Sequence, residues 1–388
     1  MSDLKTYLDK VRIRNFLSLR DVELPLKPLT VLVGPNASGK SNILAALRLL
    51  RDMVIFEYPP PVGGIENTIW AGGADSIHLE FEASVEGKTT CYTVELKPES
   101  GNQIFRERLT VDGMTVISVK AGKGQVRDEN AAHEIDYRSE KLALKSAGDY
   151  GEKPVTKYLT EFIRYWEFYD ISPYEIRRGS SFLTTGQLAD LVPVYLRDDG
   201  ANLHPILSEW YENDKGRFQT VNRAFKDCIK FDMRKHVEDD DTATLGFFEG
   251  YPSPIPLDRV SEGTLRLLAY QVLANQPELP PLIAMEEPER NFHPAWFNTL
   301  SDLLDQLSQR SQVIITTHSS QLLDVFAPQS LADNLSVLLL RNIPGRGTTV
   351  MPLDKVQEDR EGLKNWIDEF GIGSAIFDSE LLQDIMEV

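Results

Sequence analysis

Three rhythms of apolar and polar residues run along this chain, and each predicts a kind of element. Strict alternation marks Val11-Arg-Ile-Arg-Asn-Phe and Asp21-Val-Glu-Leu-Pro-Leu as strands with a turn around Ser18. Pro25 and Pro28 put the second of these at a sheet edge or at the strand's end. Ile77–Ala83 and Cys91–Leu96 alternate as a hairpin around Glu86-Gly87, and Phe105–Val111 and Thr115–Val119 continue the antiparallel pattern. Spacing of 3.6 takes over at Pro154–Phe168, where Val155, Tyr158, Leu159, Phe162 and Ile163 share a face. It continues at Thr185–Asp199, Ala201–Glu212 and Arg217–Ile229. Trp166, Phe168, Tyr169 and Trp210 read as the core of this helical region. The third rhythm is a short unbroken apolar run. Leu29–Val33, Pro281–Met285 and Val313–Thr317 read as buried strands of an open sheet.

The remaining stretches fill in around these. Tyr58–Gly64 is a breaker cluster, Gly122–Gly151 is polar and reads as a long loop, and Glu238–Asp241 reads as a solvated turn. Thr242–Phe248, Ile255–Leu257, Leu335–Leu340 and Thr348–Met351 read as strands. Ala295–Leu307, Gly362–Phe370 and Glu380–Met386 read as helices. No heptad run is long enough for a coiled-coil arm. The class is α/β, in three parts: strand-rich residues 1–120, a variable and mainly helical insertion over 121–240, and a return to sheet and helix over 241–388.

One stretch carries clear chemistry. Gly34, Gly39, Lys40 and Ser41 fill G-x-x-x-x-G-K-[ST] between the strand Leu29–Val33 and a helix with Ile43, Leu44, Leu47 and Leu50 on one face. Small residues let the loop curl its backbone N–H groups around a phosphate. Lys40 then reaches the β/γ-phosphates, Ser41 can ligand Mg²⁺, and the helix start adds its positive end. Gly34, Asn36, Ser38, Gly39, Lys40, Ser41 and Asn42 form the candidate ATP-binding stretch.

Pro281-Leu-Ile-Ala-Met-Glu-Glu is an apolar strand that delivers two acids to its carboxyl end, where ligands bind in open α/β sheets. Glu286 is placed for Mg²⁺, and Glu287 as general base for the attacking water. His318 ends the next buried strand, where it can meet the γ-phosphate. His78, His133, His204 and His236 lack metal-ligand spacing. Ser261-Glu-Gly-Thr begins an apolar helix. Ser261, Glu262 and Gly263 read either as an ordinary cap or as a second phosphate-binding helix start.

Composition narrows the setting. The chain has 388 residues, 41% apolar, enough for one large or two modest domains. Its 41 Lys+Arg against 59 Asp+Glu give a net charge of −18, which argues against wholesale wrapping by nucleic acid or anionic membrane but not against a local basic patch. Two cysteines, Cys91 and Cys228, make no disulfide framework and point to a reducing cytosol. No signal core or membrane span stands out, so a cytoplasmic protein is expected.

Taken in order, these motifs resemble the ABC-type ATPase heads of the RecF/SMC-like group, and within it the stand-alone ATPases allied to the Old (overcoming lysogenization defect) family. Ile13-Arg-Asn-Phe-Leu-Ser-Leu resembles the family's first strand and Gly34–Ser41 its Walker A loop. Ser261-Glu-Gly-Thr-Leu-Arg resembles its signature, and Glu286-Glu-Pro-Glu-Arg-Asn-Phe-His-Pro its Walker B and D-loop. Thr317-His-Ser resembles its switch histidine, and Gly373-Ser-Ala-Ile-Phe-Asp-Ser-Glu-Leu its C-terminal motif. The likeness is weakest from about 90 to 240. Leu17 departs from the basic residue common at its place, Asn291 from the His of nuclease-fused relatives, and Glu286 from the commoner Asp. Nothing resembles the TOPRIM nuclease domain of Old proteins, and after His318 no DxD cluster appears.

The resemblance implies a two-lobed P-loop head that binds ATP and Mg²⁺ and hydrolyses ATP. It further implies an ATP-dependent homodimer in which Ser261 of one subunit faces the phosphate held by Lys40 of the other. The output would go to a separately encoded effector in prokaryotic defence. A RecF-like DNA-repair ATPase and a nucleotide-dependent scaffold are the other readings.

Overall fold

The computed structural model describes residues 6–56, 66–98, 104–139, 141–147, 151–182, 195–230, 232–237, 243–248, 250, 253–359 and 362–377. Backbone contacts divide it into two units. The first is Met1–Phe168, Pro280–Glu286 and Ser308–Val388; the second is Tyr169–Leu279 and Glu287–Leu307.

The first unit carries two sheets. Strands β1 (Thr6–Phe16), β2 (Leu19–Pro25), β4 (Ile77–Val85), β5 (Lys88–Leu96), β6 (Ile104–Val111), β7 (Met114–Lys120), β8 (Lys123–Arg127) and β9 (Glu134–Arg138) form an antiparallel sheet in the order β2-β1-β4-β5-β6-β7-β8-β9. β4 shows the reason: its nine residues alternate strictly between buried and half-buried, one face to the core and one outward. Pro25 ends β2, and β2 is an edge of this sheet, as the prolines predicted.

The second sheet has the order β10-β13-β14-β3-β15-β16, from β3 (Leu29–Val33), β10 (Glu167–Tyr169), β13 (Leu282–Glu286), β14 (Gln312–Thr317), β15 (Leu335–Ile343) and β16 (Gly347–Pro352). β13, β14, β3 and β15 run parallel, and β16 returns antiparallel. Every residue of β3 and β14 is buried, which is what an unbroken apolar run means in a sheet covered on both faces. The helix Lys40–Ile55 buries Ile43, Leu44, Leu47 and Leu50 in a core shared with residues of both sheets.

Two readings change here. Residues 122–151 were expected to be loop but hold β8, β9 and the helix Ala143–Ala147. These strands show no alternation to read, because in them only Val126 is buried and only Gly124 and Tyr137 are half-buried. The register comes instead from the turn Ala121-Gly122, with φ of 49° and 73°. The helix from Pro154 stops at Arg164, and Phe168 belongs to β10. Trp166 (0% exposed) packs against Phe81 and Phe162, with ring centroids at 6.2 and 5.7 Å, so it and Phe168 are core, but of this sheet-bearing unit rather than of the helical region as expected.

The second unit is mainly helical: Pro173–Phe182, Leu203–Asn213, Lys215–Ile229, Glu262–Ala274 and Phe297–Ser308, with a hairpin of β11 (Asp232–Val237) and β12 (Ala243–Phe248). In the helix Glu262–Ala274 every residue from Gly263 on is buried, so it is the unit's central helix. Tyr169 and Trp210 are buried as expected. Ile255 makes one bridge to Phe247 rather than a strand. The readings at Tyr58–Gly64, Glu238–Asp241 and Glu380–Met386, and most of Thr185–Asp199, lie outside the described residues. No helix among the described residues is long and apolar enough to cross a membrane. Cys91 and Cys228 are free and half-buried, and burial pushes both thiols up.

Glu107 gives the fold a pH dependence. Its carboxyl, 1% exposed, accepts from the Ala143 and Leu144 amides at 2.6 and 2.7 Å and from the Tyr92 hydroxyl at 3.0 Å. Burial outweighs these donors and raises its pKa from 4.5 to about 7. An acid raised in the fold stabilises below its unfolded pKa and loses that contribution as pH rises through the folded one. Between pH 4.5 and 7 the loss is about 3 kcal/mol. Thermal unfolding of wild type against Glu107→Gln should therefore turn steadily toward the variant across this window and level off above it. A difference independent of pH would show that Glu107 stays ionised.

Candidate nucleotide site

The loop from Gly34 to Gly39 is forced into shape by its neighbours. A Cβ on Gly34 would collide with the Leu340 carbonyl oxygen. Gly39 sits at φ +105°, where a Cβ would collide with the Thr348 hydroxyl. Lys40, 7% exposed, donates to the carbonyls of Gly34 at 2.7 Å and Pro35 at 3.1 Å, which draws the loop around its own ammonium. A polar relay fixes the loop from outside. Asn42 Nδ2 donates to Ser18 Oγ at 2.8 Å, Ser18 and Thr348 hydroxyls pair at 2.7 Å, and Thr348 Oγ1 donates to the Ser38 carbonyl at 3.0 Å. Ser38 Oγ is buried beside Gly34 without a hydrogen-bond partner, a donor suited to a phosphate oxygen. The helix that follows has no acid in its first turn, so its positive end is unopposed.

Three parallel strands bring the other groups level with this loop. Register pairs Glu286 with Thr316, Thr316 with Leu32, and Thr317 with Val33. Gly34, Glu286 and His318 therefore stand at one carboxyl edge of one sheet. Ser41 Oγ donates to Glu286 Oε2 at 2.9 Å, so the strand acid and the loop hydroxyl already meet. His318 is exposed just beyond buried Thr317. A hydroxyl and a carboxylate fit Mg²⁺, which keeps several waters and takes phosphate oxygens rather than a full protein cage. The described residues hold no cluster of three or more His, Cys, Asp or Glu that could bind a metal.

Ser261, Glu262, Gly263 and Glu287 lie in the second unit. Ser261 Oγ caps its helix by accepting from Thr264 N at 3.3 Å and pairs with Thr264 Oγ1 at 2.7 Å. Glu262 accepts from Asn291 Nδ2 at 2.8 Å and lies 3.7 Å from Arg177 Nη1. A Cβ on Gly263 would collide with the Asn291 carbonyl, so the loop after Glu287 packs against the helix start. Glu287 and Asn291 turn that loop at φ 44° and 69°, strained for non-glycine residues. The Glu287 side chain is half-buried.

Sequence reasoning did not connect Ser18 and Thr348 to the loop they hold: Ser18, 16 residues before Gly34, stood only as the turn residue of the first-strand motif, and Thr348, 314 residues after, matches no motif. It noticed Asn291 only as a departure. Its bond to Glu262 becomes visible once the two loops are adjacent.

Parts of the chain match models of ATPase families. Residues 7–131 match a family model described as "AAA ATPase domain", and residues 163–324 one described as "AAA domain, putative AbiEii toxin, Type IV TA system". The OLD nuclease of Thermus scotoductus is 49% identical over 116 residues, 24% of this chain and 21% of its own. The Old nuclease of Escherichia phage P2 is 26% identical over 345 residues, 81% of this chain and 57% of its own. The chain thus spans only part of the length of either relative. Among solved structures, an Smc head bound to the C-winged helix domain of ScpA superposes with a TM-score of 0.50 at 14% identity, covering 91% of this chain and 99% of that one, which speaks to fold alone. The fold is that of an SMC-type ATPase head, and parts of the sequence are similar to AAA ATPase family models and to Old nucleases.

Proposed function

We propose that the protein binds and hydrolyses ATP as a dimeric switch, and that the switch controls a separately encoded effector in prokaryotic defence. The observation that carries the ATPase reading is the Ser41–Glu286 contact of 2.9 Å at the mouth of the lysine-bearing loop. Ser41 and Glu286 would hold a magnesium ion, which supplies charge to neutralise phosphate oxygens. Lys40 and the loop amides bind the β- and γ-phosphates, Glu287 takes the proton of the attacking water, and His318 meets the terminal phosphate. Ser261, Glu262 and Gly263 present a helix start to the phosphate held by a second copy. The defence role rests on kinship, since the matched descriptions name an Old nuclease and a toxin–antitoxin system. Steady-state phosphate release tests the ATPase reading. Sustained turnover supports it, and binding without turnover favours a scaffold.

One observation favours direct binding of duplex DNA as a second reading. Cross-strand register lines up Arg14, His78, Glu95, Arg106, Lys120, Lys123 and Arg138 across β1 and β4 to β9. At strand spacing this row is roughly 30 Å long, and its cations outnumber its one acid in a chain of net charge −18. If the row binds DNA, duplex retardation falls steeply with salt and is lost in Arg106→Glu/Lys120→Glu. If the protein works only through an effector, neither is seen.

A further inference from the structure

The C-terminal motif takes no part in the site above, yet it grips the segment that carries His318. Beyond His318, Ser319 caps the short helix Ser320–Asp324, its hydroxyl accepting from Leu322 N at 3.2 Å. The helix Ile372–Phe377 packs on this one, burying Leu322, Leu323, Ile372, Ala375 and Ile376. Asp324 closes the contact: Oδ1 accepts from Ser374 N at 2.9 Å and Oδ2 from Ser374 Oγ at 3.0 Å. Two glycines permit it. A Cβ on Gly373 would collide with the Ser320 carbonyl, and one on Gly371, at φ +97°, with the Asp324 carboxylate. A carboxylate held through both oxygens fixes rotation as well as distance.

We propose that Asp324 and Ser374 are positioning residues for His318. The motif holds the helix Ser320–Asp324 still and so sets where the imidazole stands at the sheet edge. The proposal rests on the reading of His318 as the group that meets the terminal phosphate. It explains why glycines stand at 371, just before the motif, and at 373, its first residue, where any side chain would push the helices apart.

Steady-state ATPase assays on the full chain test it, with His318→Ala, Ser374→Ala, Ser374→Thr and the Ser374→Ala/His318→Ala double variant. Losing one hydrogen bond that orients a phosphate-contacting group should lower kcat about five- to tenfold with KM for ATP little changed. Ser374→Thr, which keeps the hydroxyl, should restore kcat. The double variant should be no slower than His318→Ala, because both lesions act through one imidazole. Hydrogen exchange without nucleotide should rise at amides 318–325 in Ser374→Ala. The proposal is overturned if Ser374→Ala leaves kcat or this exchange unchanged, or slows the His318→Ala background as much as it slows wild type. Wild-type turnover in His318→Ala would instead overturn the underlying reading of the histidine, and the proposal with it. If Ser374→Ala does not fold, Asp324→Asn, which keeps the shape of the contact, takes its place in the same assays.

Discussion

Lys40→Ala should weaken ATP binding about a hundredfold, the loss expected when a buried ammonium no longer donates to phosphate oxygens. The ammonium is held at 2.7 Å from the Gly34 carbonyl and 3.1 Å from that of Pro35, so it is already placed inside the loop rather than recruited from solvent. A phosphate entering the loop takes over donors whose position costs nothing further to fix. The same two bonds hold the loop closed, so thermal unfolding should be followed alongside, with Lys40→Met keeping the buried stem. Titration with a fluorescent ATP analogue reads the effect. Wild-type affinity in a folded Lys40→Ala protein would mean that the nucleotide lies elsewhere.

Glu287→Gln should leave ATP binding intact and lower turnover about 10²–10⁴-fold, the cost of removing a general base. Glutamine keeps the shape and the strained backbone at φ 44° but cannot take a proton. An ATP-bound dimer should then accumulate, visible as an ATP-dependent rise in light scattering. Glu286→Gln should act differently: it alters the partner of the Ser41 hydroxyl and should make turnover depend on a higher magnesium concentration. Normal hydrolysis by Glu287→Gln with loss in Glu286→Gln alone would reverse the two roles.

The edge of the parallel sheet was legible in the sequence because its strands are buried on both faces. Leu29–Val33, Leu282–Glu286 and Gln312–Thr317 carry unbroken apolar runs that end on the chemistry. Their carboxyl ends are levelled by register, so three distant motifs fall at one place. β8 and β9 were not legible, since short strands with little to bury leave no pattern. The relay through Ser18 and Thr348 was hidden for another reason. Hydroxyls that hold a loop from a distant turn and a distant strand have no spacing relative to it, and only the folded chain brings them within 2.7 Å. The grip of Ser374 on Asp324 was half legible: the motif stood out, but its partner 50 residues earlier did not.

The central claim is that two copies share each ATP between the Lys40 loop of one and the Ser261 helix start of the other. Phosphate release from mixed variants tests it most directly. Lys40→Ala disables the site that holds its own loop, and Ser261→Arg fills the helix start presented to the partner's site. Each variant alone should be inactive. In a mixed dimer one site collects both lesions and the other none, so mixing the two dead proteins, with time for subunit exchange and a crosslink to confirm heterodimers, should restore ATPase activity. Confirmed heterodimers that stay silent, or wild-type turnover by Ser261→Arg alone, would contradict the shared site.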